Sequence, residues 1–372
     1  VTAPKVVVFG TAGYALVHLR RARALHDDGE IVLAGACDVR EPSPESTGLL
    51  PPEAVITRDI RELLSQVAPA IAVIATPPHT HLAAALLAVD AGCHVLLEKP
   101  PVLNLAAFDL LSERADAAGV SCQVGFQSFG SAALTVLRDA VAAGAVGEPR
   151  GVGTAGAWIR RDSYYGRNGW AGRRVLDGVS VMDGSLTNPF AHAVATATLV
   201  AGTADLLPRR IDVELHRARP IEADDTACAR LSFENGVDVV AAATLCADQV
   251  FEPYVVLHGT EGTARWWYRS DRLEINGEAM RAGLPAELLR DLVRHVEEKT
   301  ALAAPLAHTR AFTAFVEAVR DHPGPKPIPP EWVDVADEGP ERRYLVRGVE
   351  KAVESVAEEM ALFSELGVPW AT

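Results

Sequence analysis

The stretch "ATPPHTHLAAALLAVDAGCHVLLEKPP", Ala75 to Pro101, contains one complete crossover. An apolar run, Ala70–Ala75, stops at Thr76 and Pro77. A helical pattern follows over Leu82–Ala91, Gly92 ends it, and a second apolar run, His94–Leu97, comes next. The chain then leaves through an acid, a base and two prolines, Glu98 to Pro101. Two short, continuously apolar strands joined by a helix are parallel neighbours in a sheet covered on both faces.

The same alternation extends in both directions. "KVVVF" (Lys5–Phe9), "IVLAGAC" (Ile31–Cys37) and "SCQV" (Ser121–Val124) read as further strands, and Tyr14–His26, Ile60–Gln66 and Ala106–Ala117 as helices. This is the pattern of a doubly wound, dinucleotide-binding α/β domain, expected over residues 1–127. Its first turn, "FGTAGYA", places Gly10, Ala12 and Ala15 where a dinucleotide turn has three glycines, with Gly13 as an extra. Only Gly10 is in register. The turn still follows the first strand and opens a helix, whose free amides suit phosphate. The second strand ends in Asp38, whose carboxylate suits ribose hydroxyls and repels a 2′-phosphate. That favours NAD, with NADP kept open by Arg40.

Composition narrows the function classes. The chain has 372 residues, enough for two domains, and a net charge of −14. That charge opposes binding to nucleic acid or an anionic membrane surface. Five scattered cysteines without ligand spacing, the lack of a visible export signal and the shortness of the apolar runs fit a reduced, cytoplasmic protein. His79 and His81 resemble a metal pair, but no third ligand accompanies them and a helix start repels cations. No metal is expected.

Ten residues within the opening stretch carry a resemblance. Thr76, Pro77, His81, Ala91, Gly92, His94, Val95, Glu98, Lys99 and Pro100 stand in the order and spacing of the glucose–fructose oxidoreductase, inositol dehydrogenase and rhizopine catabolism (Gfo/Idh/MocA) family. "QVGFQ" (Gln123–Gln127) and "GAVGEPRGV" (Gly144–Val152) resemble it too. The resemblance implies cofactor contacts at Gly10, Ala12, Gly13, Tyr14, Asp38, Thr76, Pro77, His81, Glu98, Lys99 and Gln127. It also implies a second, α+β domain over residues 128–372, with an open-faced, mostly antiparallel sheet for substrate binding and for homodimer or homotetramer contacts.

The residues after Val152 agree with such a domain. Strand-like runs recur at Ile211–Arg217, Ala227–Phe233, Val237–Ala243, Tyr254–His258 and Thr263–Tyr268. Asn235-Gly236 and Asn276-Gly277 are hairpin signals. Helices are expected at Leu284–Glu298, Ala307–Arg320 and Glu341–Leu366, the last after the proline-rich connector "HPGPKPIPPEW".

The chemistry implied is hydride transfer between nicotinamide and a secondary alcohol of a sugar, polyol or sugar acid. The hydride needs position, whereas the hydroxyl proton needs a base. Lys99 suits that task, because burial beside a cationic ring disfavours its ammonium form. Its bond to Pro100 is often cis in the family. A second proton-handling group is expected at His192, where the family shows D-x-x-x-H. Here Asn188 occupies the aspartate position, which removes the carboxylate; with Pro189 it also reads as a helix cap. Between Trp158 and Arg174 the sequence concentrates Trp158, Tyr164, Tyr165 and Trp170 with Arg160, Arg161, Arg167, Arg173 and Arg174. Aromatic faces and guanidinium groups suit a sugar or a sugar acid, and equally a subunit interface. The substrate set expected is therefore Lys99, Trp158, Arg160, Tyr164, Tyr165, Arg167, Trp170, Asn188 and His192. Two other readings stay open on residues alone: an NADP-dependent oxo-sugar reductase, and a non-catalytic sensor of dinucleotide or sugar.

Overall fold

The computed structural model describes residues 3–371. The chain divides into two compact units. One runs up to Gly130 and includes Ala286–Ala307; the other comprises Ser131–Pro285 and the chain from His308 on. A single cut at 127/128 therefore misplaces one helix, which returns to the first unit.

In the first unit, β1 (Lys5–Phe9), β2 (Val32–Cys37), β3 (Val55–Thr57), β4 (Ile71–Ile74), β5 (His94–Leu97) and β6 (Cys122–Val124) form one parallel sheet. Its order is β3-β2-β1-β4-β5-β6, so the direction of winding reverses between β1 and β4. Helices α1 (Ala15–Asp27), α2 (Pro44–Leu49), α3 (Ile60–Val67), α4 (His81–Asp90) and α5 (Leu105–Ala118) make the connections. The apolar runs exist because these strands are covered on both sides: Val6–Phe9, Ile71–Ile74 and Val95–Leu97 are fully buried. Each valine, leucine, isoleucine or phenylalanine among them contributes roughly 1.5–3 kcal/mol of burial. Gly10, Asp38, Thr76 and Lys99 all follow the carboxyl ends of strands, the edge where ligands bind in such sheets.

The returning helix α9 of this unit (Leu288–Glu298) buries Leu288, Leu289, Leu292 and Val293. Its sequence neighbours also seal the sheet edge. Val124 N–H donates to Ala304 O at 2.8 Å, and the Gln123 side chain bonds both Leu288 O (2.6 Å) and Ala304 N (3.1 Å). An otherwise bare edge strand is thereby paired.

The second unit holds α6 (Ala132–Ala142), β7 (Pro149–Ile159), α7 (Asp162–Tyr165), the small pair β8 (Val175–Leu176) and β9 (Val179–Ser180), and α8 (Ala191–Val200). The strands β10 (Arg210–Arg217), β11 (Thr226–Ser232), β12 (Asp238–Thr244), β13 (Cys246–Gly259), β14 (Thr263–Trp267), β15 (Arg272–Ile275) and β16 (Glu278–Met280) follow. After α10 (Arg310–Asp321) come β17 (Lys326–Pro327), the hairpin β18 (Val333–Glu338) and β19 (Glu341–Val346), and α11 (Val349–Glu359). The main sheet has the order β16-β15-β14-β13-β7-β12-β11-β10-β17. Its pairs are antiparallel except β7 with β12 and β10 with β17.

Several elements of this unit, among them α6, β15 and β16, had no expected counterpart, and two differences bear on its core. The expected helix Glu341–Leu366 is a strand, a turn and a shorter helix. Its first residues "ERRYLV" pair with β18, and Gly348 at φ +74° separates strand from helix. The long central strand β7 carries no expected label, because its sequence "PRGVGTAGAWI" is rich in glycine, a poor strand former. Tertiary packing explains those glycines. A Cβ on Gly153 would collide with the Ala357 backbone of α11, and one on Gly151 would lie 2.7 Å from the Met360 side chain. On the opposite face a Cβ on Gly156 would collide with Phe190. The face that an open sheet leaves bare is filled here by α11 and the last residues. Val349, Val353, Val356, Phe363 and Trp370 join Ala155, Val240, Ala242 and Val256 in one core.

Candidate active site

In the first unit the turn after β1 is shaped by Gly10. It sits at φ +100°, and a Cβ there would lie 2.7 Å from Ala75 O on the neighbouring strand. Only glycine fits both constraints. Ala12, Gly13 and Tyr14 are exposed at the start of α1. Asp38 is tied to the same turn: its Oδ2 accepts from Thr11 N and from Thr11 Oγ1, each at 2.9 Å, and its Oδ1 from Arg40 N at 3.0 Å. Burial pushes this carboxyl up, but these hydrogen bonds outweigh it and hold the group below its ordinary value.

A second cluster forms where β5 ends. Glu98 is buried, and its Oε1 lies 2.8 Å from His18 Nε2 of α1. Its Oε2 accepts from the Lys99 amide at 3.1 Å. Burial raises this carboxyl; the hydrogen bond and charge of His18 together with the Lys99 charge outweigh it and lower the group. Gly125 leaves the space the carboxylate occupies, since a Cβ there would be 2.6 Å from Oε1. Tyr14 packs edge-on against the His18 ring, and Gln127 Nε2 donates to the Tyr14 hydroxyl at 3.3 Å. Burial and the Glu98 charge raise the Tyr14 phenol. Tyr14, Glu98, Lys99 and Gln127 thus come together around His18, a residue the sequence reading missed. Its signal was a histidine inside the apolar stripe Ala15, Leu19, Ala22, Leu25.

The Lys99–Pro100 peptide is cis. His81 braces it: Nδ1 lies 2.8 Å from Pro100 O and Nε2 2.8 Å from Thr76 O. Burial lowers this imidazole, and both ring nitrogens face main-chain carbonyls. His81 is thereby a strut between the ends of β4 and β5, with each ring nitrogen against a main-chain carbonyl. Thr80 Oγ1 lies 2.8 Å from Pro77 O, to which it can donate, and 2.8 Å from the Thr76 hydroxyl, which can donate to it in turn.

The second unit assembles its cluster at the start of α8. Nearly all of that helix is buried; in its first turn only His192 reaches the surface in part. Asn188 lies one turn earlier. It does not cap the helix, as Asn-Pro suggested: the capping position is Phe190, without a side-chain cap. Its amide Nδ2 instead donates to Asp183 Oδ1 at 2.5 Å. Asp183 is 3% exposed, and also accepts from Arg167 Nη2 at 2.9 and 3.1 Å and from Gly172 N at 2.7 Å. Burial raises this carboxyl, and its partners offset only part of that. A buried carboxyl five residues upstream thus stands against the amide at position 188. Sequence gave no hint of it, because Arg167 is 16 residues away.

The aromatic segment is a ladder. Arg160 lies 4.7 Å from the Trp158 ring centroid and 4.8 Å from that of Tyr164; Arg167 lies 3.6 Å from Tyr164 and 5.0 Å from Trp170. Trp158 packs on Phe190 at 4.2 Å, which ties the ladder to the start of α8. Burial pushes the Tyr164 phenol up to about 12. Tyr165 turns inward, with a buried hydroxyl, against Arg219. Arg174 leaves the group altogether and donates to the carbonyls of Val319, Arg320 and His322 at the end of α10.

The profile of the GFO_IDH_MocA oxidoreductase family, NAD-binding Rossmann fold, matches residues 4–126, and that of the GFO/IDH/MocA C-terminal domain matches residues 134–265. The chain belongs to the Gfo/Idh/MocA oxidoreductase family. This Gfo/Idh/MocA protein therefore has an NAD-binding domain. No curated protein matches the chain at the sequence level. Among solved structures it is similar to the WlbA dehydrogenase from Bordetella pertussis in complex with NADH and UDP-GlcNAcA: 21% identity, TM-score 0.69, covering 85% of this chain and 95% of that one. It is also similar to a levoglucosan dehydrogenase in complex with NADH (16%, TM-score 0.71, 85% and 96%). A third is the UDP-N-acetylglucosamine 3-dehydrogenase GnnA from Acidithiobacillus ferrooxidans (18%, TM-score 0.67, 86% and 97%). At such identities the likeness is one of fold. No helix among the described residues is long and apolar enough to cross a membrane.

Proposed function

We propose that this protein is an NAD-dependent dehydrogenase that oxidises a secondary hydroxyl of a sugar, polyol or sugar acid, with Lys99 and His192 handling the proton. The observation that carries the reading is the buried Glu98 carboxylate directly behind Lys99, held by His18 and bonded to the Lys99 amide. A buried acid is costly unless paired, so its place at the carboxyl end of β5 argues for a task there. Two of the structures cited above contain NADH and one a nucleotide sugar acid, which supports the substrate class.

Gly10 to Tyr14 would hold the pyrophosphate at the start of α1, and Asp38 the adenosine ribose. When bound, NAD supplies the acceptor for the hydride that leaves the carbinol carbon. The hydroxyl proton remains, and its loss completes the carbonyl. In this reading the Lys99 amine receives that proton, while Glu98 and the His81 strut hold the peptide that carries it. His192, in the first turn of α8, is the second proton-handling group; Asn188, four residues before it, orients the hydroxyl, and Asp183 fixes the Asn188 amide.

The test is NADH formation by the purified protein against a panel of polyols, sugars and sugar acids. Turnover that depends on Lys99 supports the reading. Full activity in Lys99→Ala would remove Lys99 from the mechanism, and NAD binding without turnover on any member would replace the enzyme by a sensor.

A further inference from the structure

The ladder beside α8 has a charge imbalance. Three guanidinium groups stand in it, since Arg269, just beyond β14, lies 5.3 Å from the Trp158 ring centroid. One carboxylate answers them: Asp183, which takes Arg167. Among the described residues neither Arg160 nor Arg269 has a carboxylate within ion-pair distance. Arg160 Nη1 donates to the Ile159 carbonyl at 3.1 Å, and its Nε is buried without a hydrogen-bond partner. Glu252, on the neighbouring strand β13, is engaged by the Ser270 amide at 2.8 Å. The adjacent Arg161, by contrast, meets Glu338 at 2.6 Å, and the chain as a whole carries −14. Two cations without counter-charge against one indole repel each other, and acids were abundant enough to neutralise them.

We infer that the substrate carries an anionic group, seated by Arg160 and Arg269 against Trp158. This rests on the dehydrogenase reading above and narrows its substrate class. Trp158 lies on Phe190, between Asn188 and His192 in sequence, so the anion would sit beside the group that orients the hydroxyl. A guanidinium fork matches a carboxylate or a phosphate through paired hydrogen bonds. The shared chemistry is an anionic oxygen pair on a sugar: the carboxylate of a sugar acid, or the diphosphate of a nucleotide sugar.

The experiment uses the full chain loaded with NAD, titrated calorimetrically with glucuronate, glucose and UDP-glucose, and assayed with the same compounds. At least one anionic compound should bind about ten-fold tighter than glucose, as a hydrogen bond to a charged group allows. Preference for glucuronate names the carboxylate; preference for UDP-glucose names the diphosphate. Arg160→Gln and Arg269→Gln should each weaken that binding about ten-fold and raise KM more than they lower kcat. Arg150→Gln, an exposed arginine at the far end of β7, removes the same charge and should not. Glucose bound as tightly as both anions, or anion binding indifferent to both ladder substitutions, overturns the inference. Arginine-dependent anion binding without NADH formation would keep the anion site and sink the dehydrogenase reading instead.

Discussion

Glu98 and Asp183 occupy comparable places in the two units, and their surroundings push them in opposite directions. Each is a buried acid standing behind a residue proposed to act on the substrate, Lys99 in one case and Asn188 in the other. Glu98 has one close side-chain partner, His18, and its carboxyl is lowered. Asp183 has an arginine, a side-chain amide and a main-chain amide, yet its carboxyl is raised. The number of hydrogen bonds does not settle the protonation of a buried acid. What decides is whether charge and hydrogen bonding together outweigh desolvation. On the proposed mechanism the difference is useful: an ionised Glu98 sits one residue from an amine that must gain a proton, whereas Asp183 has only to hold an amide still.

The comparison can be broken most directly at the amine. Lys99→Ala should lower kcat/KM for the preferred substrate by about 10²–10⁴, whereas Asp183→Asn should lower kcat by roughly ten-fold, consistent with a lost positioning contact. Equal losses, measured by NADH absorbance, would erase the distinction between an acting group and a supporting one. Next in size is His18→Ala, which leaves Glu98 buried without its partner and should cost about 3–5 kcal/mol of stability. In the double variant His18→Ala with Glu98→Gln that loss should fall well short of the sum, as thermal melts would register.

A smaller effect concerns pH. A lowered carboxyl contributes stability that is present above its unfolded value, roughly pH 4, and lost as pH falls through the depressed value. For a raised carboxyl the contribution is present below that pH and lost as pH rises through the raised value. The melting deficit of Glu98→Gln should therefore grow from acid toward neutral pH, and that of Asp183→Asn should shrink. Parallel curves would mean that the two sites do not differ as described.

How far each cluster could be read in advance follows from the distances in sequence that separate its members. Glu98, Lys99 and Pro100 are contiguous, and the strand before them is an unbroken apolar run. That half was legible except for His18, which reaches Glu98 across 80 residues. In the other unit Asn188 and His192 were proposed from the family pattern D-x-x-x-H, whereas Asp183 and Arg269 were not, because their partners are met only after the loop and the sheet have folded. Strand β7 shows the same limit in the backbone. Its glycines weaken every local strand signal, and their purpose emerges only when α11 and Phe190 press on its two faces.

From the sequence alone came the doubly wound parallel class, five of the six strands of its sheet (β3 was not among them), the turn at Gly10 and the place of Lys99 at a strand end. These depend on local periodicity and on contiguous residues, which neighbours along the chain suffice to define. Tertiary structure decided which buried acids face which bases, that residues 286–307 complete the first unit, and that residues 349–371 pack onto the second sheet. Those are matters of burial and of charges brought close from afar. Desolvation is created by the fold itself and has no local signature in the sequence.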